Sequence, residues 1–182
     1  KHLCIFVFMK IGIFFGGKSR EREISFAGGR TVYDNLDKSL FDAIPIFVDS
    51  FGNFVLLDWQ YVYKGSIRDF YPPSACFDAS PNGFQIYADS LGGVLQSDEA
   101  QATLIAPIGQ KIRPDDLKNH IDFAFLTLHG TYGEDGSIQG LLQYLGIPFT
   151  ASGILPSTIG MDKAFQKHTM KAAGIAVPKL HI

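Results

Sequence analysis

Cysteine is nearly missing from this sequence: Cys4 and Cys76 are the only two in 182 residues, with no C-x-x-C pair and no histidine at ligand spacing. Disulfide-stapled domains and zinc-ribbon sites are excluded on that count, and a reducing compartment, the cytoplasm, suits the two thiols best. An excess of one charge is missing too. Sixteen basic against eighteen acidic residues leave a formal net charge of −2, so no bulk positive field exists to hold nucleic acid or an anionic membrane. Long apolar runs are also lacking. Leu3 to Met9, the one segment resembling a targeting signal, is seven residues long before Lys10 interrupts it. A bilayer needs roughly 20 such residues, and no small-residue cleavage site follows. Repeats and low-complexity tracts are absent.

What is present is material for a core. Hydrophobic residues make up 46% of the chain and charged residues 19%, a mix that folds. The length fits about one domain, or one domain and the start of a second. Met9 stands directly before a strand that is complete without the upstream residues. It is therefore expected to be the natural start, with Lys1 to Phe8 an upstream extension, which N-terminal mass analysis of the native protein tests.

Along the chain, Lys10 to Phe15 is an aromatic and β-branched run closed by Gly16-Gly17, and a helical pattern follows from about Arg20 to Leu36. Ala43 to Val48 predicts a strand. Asn53 to Leu57 predicts its hairpin partner across the turn-rich Asp49-Ser50-Phe51-Gly52. From Trp59 to Gln101 the pattern weakens into Pro72-Pro73, Pro81-Asn82-Gly83 and Gly92-Gly93, which predicts short strands and loops in an inserted arm, with Thr103 to Ala106 a further strand. Pro114 opens a short helix. Ile121 to Leu128 reads as a strand buried on both faces, so that chemistry is expected just past its end. The sequence HGTYGEDGSIQG then leads into an amphipathic helix with Ile138, Leu141, Leu142 and Leu145 on one side, closed by Gly146, and Ile147-Pro148-Phe149 begins another strand. One last helix is predicted from about Ser157 to Ala173, stopping at Gly174, with a strand opening at Val177. The expected fold is α/β, three-layered, with a mainly parallel sheet.

Several motifs have competing readings. Gly12 to Ser19, GIFFGGKS, satisfies the phosphate-loop pattern G-x-x-x-x-G-K-[ST], but Ile13, Phe14 and Phe15 are strand residues that would have to leave the core to form that loop. FVLLD at 54 to 58 reads as a hairpin arm rather than a magnesium strand. Gly16 and Gly17 let backbone approach a ligand, and Glu21 and Glu23 open the next helix, where acidic side chains also simply complement the helix dipole. Ser25 and Arg22 have ordinary surface readings. In HGTYGEDGSIQG a strand end, a histidine, glycines and a helix start come together. Glycines such as Gly130 permit close approach, and His129 can donate a hydrogen bond to an anion or be satisfied by the loop itself. Glu134 and Asp135 read as capping and orienting residues. Lys163 lies near a helix start, where it can meet a phosphate as a point charge or be merely solvated. Lys167, His168 and Lys171 form an exposed face. No metal ligands are assigned.

GGKSREREIS, HGTYGEDGSIQGLLQYLGIPFTASG and SGILPSTIGMDKAFQKHTMKAAGIAVP together resemble the amino-terminal part of the D-alanine:D-alanine ligases, ATP-grasp enzymes of peptidoglycan precursor synthesis. The resemblance covers about 10 to 48 and 103 to 182, while 49 to 102 matches only in kind, as a variable insertion. It implies a Rossmann-like pre-ATP-grasp domain over 1–160, with a β-rich arm inserted at about 49–102, and the opening helix and strand of a central domain over 161–182. It further implies that Glu21 binds the ammonium of the first D-alanine, that His129 hydrogen-bonds its carboxylate, and that Gly16, Gly17 and Gly130 shape that site. Lys163 would contact ATP phosphate. ATP would phosphorylate the first D-alanine, and the amine of the second would attack the acyl phosphate.

By the same resemblance, ATP and Mg2+ serve the full-length enzyme. The magnesium ligands, the second ATP lysine, the covering serine and tyrosine and the phosphoryl-steadying arginine are not in these 182 residues. The chain alone is therefore expected to be inactive and to hold no cofactor tightly. A cytoplasmic homodimer is expected, with D-alanine as ligand and neither nucleic acid nor membrane as partner. Two other readings compete. One is a stand-alone binding or dimerisation module derived from this domain. The other is a generic dinucleotide-binding domain, disfavoured because the first turn lacks G-x-G-x-x-G and its two glutamates would repel a pyrophosphate.

Overall fold

A computed structural model describes residues 8–72 and 98–179 of the chain. Cys4, residues 73–97 of the expected arm with Cys76, and Leu180 to Ile182 lie outside the described residues. Five strands form one sheet: β1 (Met9–Gly16), β2 (Phe41–Val48), β3 (Phe54–Leu57), β4 (Gly109–Ile112) and β5 (Phe123–Leu126). Their order is β4-β3-β2-β1-β5. β1 runs parallel to β2 and β5, whereas β3 is antiparallel to both β2 and β4. The sheet is therefore mixed, parallel across β2, β1 and β5 and antiparallel at the β3–β4 edge.

Alternation along β1 sorts the core into two layers. Ile11, Ile13 and Phe15 face one side, where they join Phe26, Phe47 and Tyr71. Phe14 faces the other, with Ile46, Leu117, Ala124 and Leu142. The first layer is covered by α1 (Arg22–Asn35), by the 3₁₀ turns Trp59–Tyr63 and Ile67–Asp69, and by α2 (Asp98–Ile105). The second is covered by α3 (Leu117–His120) and α4 (Ser137–Leu145). Each fully buried aliphatic or phenyl side chain contributes about 1.5–3 kcal/mol relative to exposure, so the two layers together clamp the sheet. Gly29 lets α1 come close, since a Cβ there would stand 2.7 Å from the Phe15 ring. Pro45 sits where β2 pairs with β1 alone, one residue before the β3 ladder begins at Ile46, so its missing N–H breaks no rung on that side.

The β1–α1–β2 unit, the β2–β3 hairpin, the Pro114 turn and the closure of α4 at Gly146 (φ 68°) all match the sequence pattern. Four expectations are corrected. Thr103 to Ala106 is not a strand: Thr103 to Ile105 complete α2, a segment rich in helix formers whose first turn carries Asp98 and Glu99 and whose last turn buries Leu104 and Ile105. The last helix is two, α5 (Ile154–Met161) and α6 (Lys163–Ala172), because Asp162 is extended and its side chain caps α6 by accepting from Phe165 N at 2.9 Å. Val177 to Lys179 carry no strand. Phe149 makes only a single parallel bridge to Ala124. β4 is an addition: its Gly-Gln-Lys-Ile sequence has too little alternation to announce a strand, and its pairing with β3 makes it one. Among the described residues no helix is long and apolar enough to cross a membrane.

Candidate functional site

The parallel strands β1 and β5 lie side by side, so the loops leaving their carboxyl ends are neighbours. The first is the Gly16-Gly17 turn. Both glycines have positive φ, 92° and 101°, and at Gly16 a Cβ would stand 2.5 Å from the Val48 carbonyl oxygen. Gly17 N donates to that same oxygen at 2.7 Å, which ties the turn to the end of β2. From inside, Gly16 N donates to Ser25 Oγ at 2.9 Å. Ser25 is completely buried rather than on the surface as expected, because the turn requires an acceptor beneath it. Thr127, in the loop after β5, adds a second tie by donating to the Phe14 carbonyl at 2.8 Å.

The second loop, 129–136, is stiffened by its own acids. Glu134 Oε2 accepts from Gly130 N at 2.7 Å, and Glu134 Oε1 lies 3.7 Å from His129 Nδ1. Asp135 accepts from Tyr132 N at 2.8 Å and from Ser137 N at 3.0 Å, so it closes the loop and caps α4. Partial burial works to raise the Asp135 carboxyl, but the hydrogen bonds from Tyr132 and Ser137 outweigh it and hold the group below the ordinary carboxylate range. The capping reading fits Asp135, while Glu134 orients the loop by holding Gly130 N. Gln139, in the first turn of α4, donates from Nε2 to the Gly133 carbonyl at 2.9 Å, while its buried Oε1 has no partner among the described residues.

The two loops meet at Gly130. Its φ is 69°, and a Cβ there would lie 2.5 Å from Ser19 Oγ and 3.1 Å from Glu21 Oε2. Ser19 Oγ in turn accepts from Glu21 N at 3.1 Å. Glu21 is thus held against the second loop with its carboxylate exposed, and among the described residues that carboxylate has no hydrogen-bond or ion-pair partner. Glu23 differs: it accepts from Ile67 N at 3.0 Å and lies 3.8 Å from Arg68 Nε, a tie to the neighbouring 3₁₀ turn. The pair of glutamates therefore divides into one free group and one structural group.

Two clefts flank His129, which lines both together with Leu128 and Gly133. One, of about 190 Å3, runs beneath Gly17, Lys18 and Tyr132. The other, of about 410 Å3, opens between the second loop and the α5–α6 junction and is also lined by Glu134, Gln139 and Lys163. Lys163 is exposed and donates to the Gly160 carbonyl at 2.7 Å. Of the residues singled out in the sequence, Glu21 and Gly130 come together, His129 and Lys163 border one cleft, and Gly16 sits beneath as a buried support. Ser19, Gln139 and the Lys18–Tyr132 contact were not singled out. Only Ser19 left a trace, as the serine two residues before Glu21. The rejected phosphate-loop segment is strand through Gly16, with Ile13, Phe14 and Phe15 buried.

Fold and site together define a three-layer α/β domain whose crevice lies at the carboxyl ends of parallel strands and is built from two glycine loops. The family model described as the D-ala D-ala ligase N-terminus matches residues 10–152, and the chain belongs to that family. It is 31% identical over 176 residues to a D-alanine-D-alanine ligase of Mycolicibacterium vanbaalenii, covering 93% of this chain and 42% of that protein. With the D-alanine-D-alanine ligase of Rhodococcus opacus it shares 32% identity over 170 residues, 92% of this chain and 42% of the relative. Among solved structures, the D-alanine-D-alanine ligase of Coxiella burnetii superimposes with a TM-score of 0.64 at 24% identity, over 95% of this chain and 44% of that one. The VanG D-Ala:D-Ser ligase of Enterococcus faecalis does so with a TM-score of 0.58 at 26% identity, over the same shares. The chain spans less than half the length of these relatives.

Proposed function

We propose that this chain is the amino-terminal substrate domain, residues 1–160, and the opening of the central domain, 161–182, of a cytoplasmic, homodimeric, ATP-dependent D-alanine:D-alanine ligase serving peptidoglycan precursor synthesis. The observation that carries the reading is the meeting of Ser19, Glu21 and Gly130. It presents an unpaired carboxylate beside a glycine backbone and next to His129, an arrangement suited to a small zwitterion. Glu21 takes the ammonium of the first D-alanine, His129 takes its carboxylate, and Gly16, Gly17 and Gly130 shape the backbone around them.

Lys163 suits an ATP phosphate: its ammonium is exposed and its described partner is one carbonyl, which leaves donors for an anion. ATP, when bound, supplies the phosphoryl group that activates the carboxylate. Mg2+ finds no such fit, because no three His, Cys, Asp or Glu side chains converge among the described residues. The work assigned to these residues is to bind, orient and charge-match the amino acid in reacting geometry.

The test is a titration of the 182-residue chain with D-alanine, followed by backbone amide shifts. Saturable shifts at Glu21 and Gly130, with affinity about tenfold or more weaker in Glu21→Gln, are expected from the loss of a charge-assisted contact. Equal binding by the variant would refute the assignment. ATP-dependent phosphate release with D-alanine and Mg2+ is expected only from a protein that continues past Ile182, and turnover by the 182-residue chain would contradict this reading.

A further inference from the structure

The smaller cleft is built for more than an amino acid. Its walls are Val48, Phe54, Leu128, Ile138 and Leu141, contributed by β2, β3, the loop after β5 and α4. Neither Glu21 nor Gly130 lines it. The cavity is about 190 Å3, whereas a dry cavity of about 150 Å3 already accommodates benzene. The methyl group of alanine would leave most of these walls uncovered.

The mouth carries a cation. Lys18 extends from the first glycine turn across the β2–β3 turn, close enough that a Cβ on Gly52 would lie 2.7 Å from its Cε. It ends with its ammonium 4.7 Å from the centre of the Tyr132 ring. Among the described residues this ammonium has no carboxylate partner. Tyr132 itself is held at φ 68°, a conformation that disfavours a bulky side chain, by the bond from its N–H to Asp135. An apolar chamber with a few convergent polar groups at its rim is the usual form of a small-molecule site. Here the rim charge is positive and unneutralised.

We propose that this cavity binds a small monocarboxylate with a phenyl-sized apolar body, the ring against the five apolar walls and the carboxylate on Lys18. A carboxylate meets the ammonium with a charge-assisted hydrogen bond, and the ring removes apolar surface from water on both sides. The site shares Gly17 and His129 with the D-alanine reading but neither Glu21 nor Gly130, and it does not depend on that reading.

The test uses the 182-residue chain and phenylacetate, with acetate and benzyl alcohol as the two halves of the ligand. Phenylacetate is expected to give saturable shifts at the amides of Gly17, Gly52 and Tyr132, and both halves are expected to bind at least about tenfold more weakly. Lys18→Gln is expected to weaken phenylacetate about tenfold and leave benzyl alcohol unchanged. Leu141→Trp fills the cavity and is expected to abolish both responses; if it fails to fold, the lysine variant decides. Absence of saturable shifts, equal binding of phenylacetate and benzyl alcohol, or indifference to Lys18→Gln overturns the proposal. A D-alanine response at Glu21 and Gly130 alongside silence to phenylacetate overturns this site alone, and the reverse pattern overturns the D-alanine assignment alone.

Discussion

Gly130→Ala is the substitution that most directly probes how the two loops are joined. The added methyl would sit 2.5 Å from Ser19 Oγ, a distance that no relaxed side chain keeps, and tightly at 3.0 Å from Ser19 Cβ and 3.1 Å from Glu21 Oε2. Ser19 must move, and with it the bond from Glu21 N to Ser19 Oγ at 3.1 Å. A non-glycine residue at φ 69° costs about 1–2 kcal/mol, and the displaced hydrogen bond about 1 kcal/mol more. The expected destabilisation is about 2–3 kcal/mol, which for a domain of this length lowers the melting temperature by about 4–12 °C. The neighbours are side-chain ends, so the core survives. Thermal unfolding followed by circular dichroism reads the shift, and D-alanine titration reads the displacement of Glu21 as a weakened response. A variant with the parent's melting temperature and undiminished D-alanine binding would show that the loops do not meet at Gly130.

Gly16→Ala should be harsher, about 3–5 kcal/mol by chemical denaturation, because its methyl meets the Val48 carbonyl and the Phe47 ring, which cannot move aside cheaply; a loss below that of Gly130→Ala would contradict this ranking. Ser25→Ala should cost about 1–3 kcal/mol, since it strands the buried Gly16 N–H, and a neutral result would mean that water replaces the hydroxyl. Asp135 has its folded-state carboxyl held below the ordinary range. Its contribution to stability is therefore full above the unfolded value of about 3.9 and is lost as pH falls through the lower folded value. Asp135→Asn should lower neutral-pH stability and flatten the acid limb of the stability curve; unchanged steepness below about pH 4 would refute that role.

Much of the fold was legible because burial imposes a period. The aromatic and β-branched run from Lys10 to Phe15 had to be a strand, and the spacing of Ile138, Leu141, Leu142 and Leu145 had to be a helix with one buried face. Where the pattern misled, local chemistry was overridden from outside or was too fine to see. Thr103 to Ile105 carry strand-forming side chains, yet they extend a helix already begun at Asp98. Asp162 reads as one polar residue among several, and its cap on Phe165 N divides one helix into two. Gly109 to Ile112 become a strand only because β3 offers an unpaired edge.

The sequence by itself determined the family of the chain, the strand-turn-helix units and the two glycine loops, since each rests on residue type and short-range spacing. Residue type and helix position alone could not separate Glu21 from Glu23, which only the family resemblance distinguished, because both stand at the start of the same helix and differ in what lies opposite them. The tertiary structure decided that Glu23 is spent on Ile67 and Arg68 while Glu21 faces Gly130, across more than a hundred residues of chain. It likewise moved Ser25 from the surface to the support of Gly16 and set Lys18 over Tyr132 at the mouth of an apolar chamber. The physical reason is packing between elements: parallel pairing of β1 and β5 brings together the loops that carry Glu21, Lys18, Gly130 and Tyr132, whereas α1 lying against β1 and the 3₁₀ turn at Ile67 fixes Ser25 and Glu23.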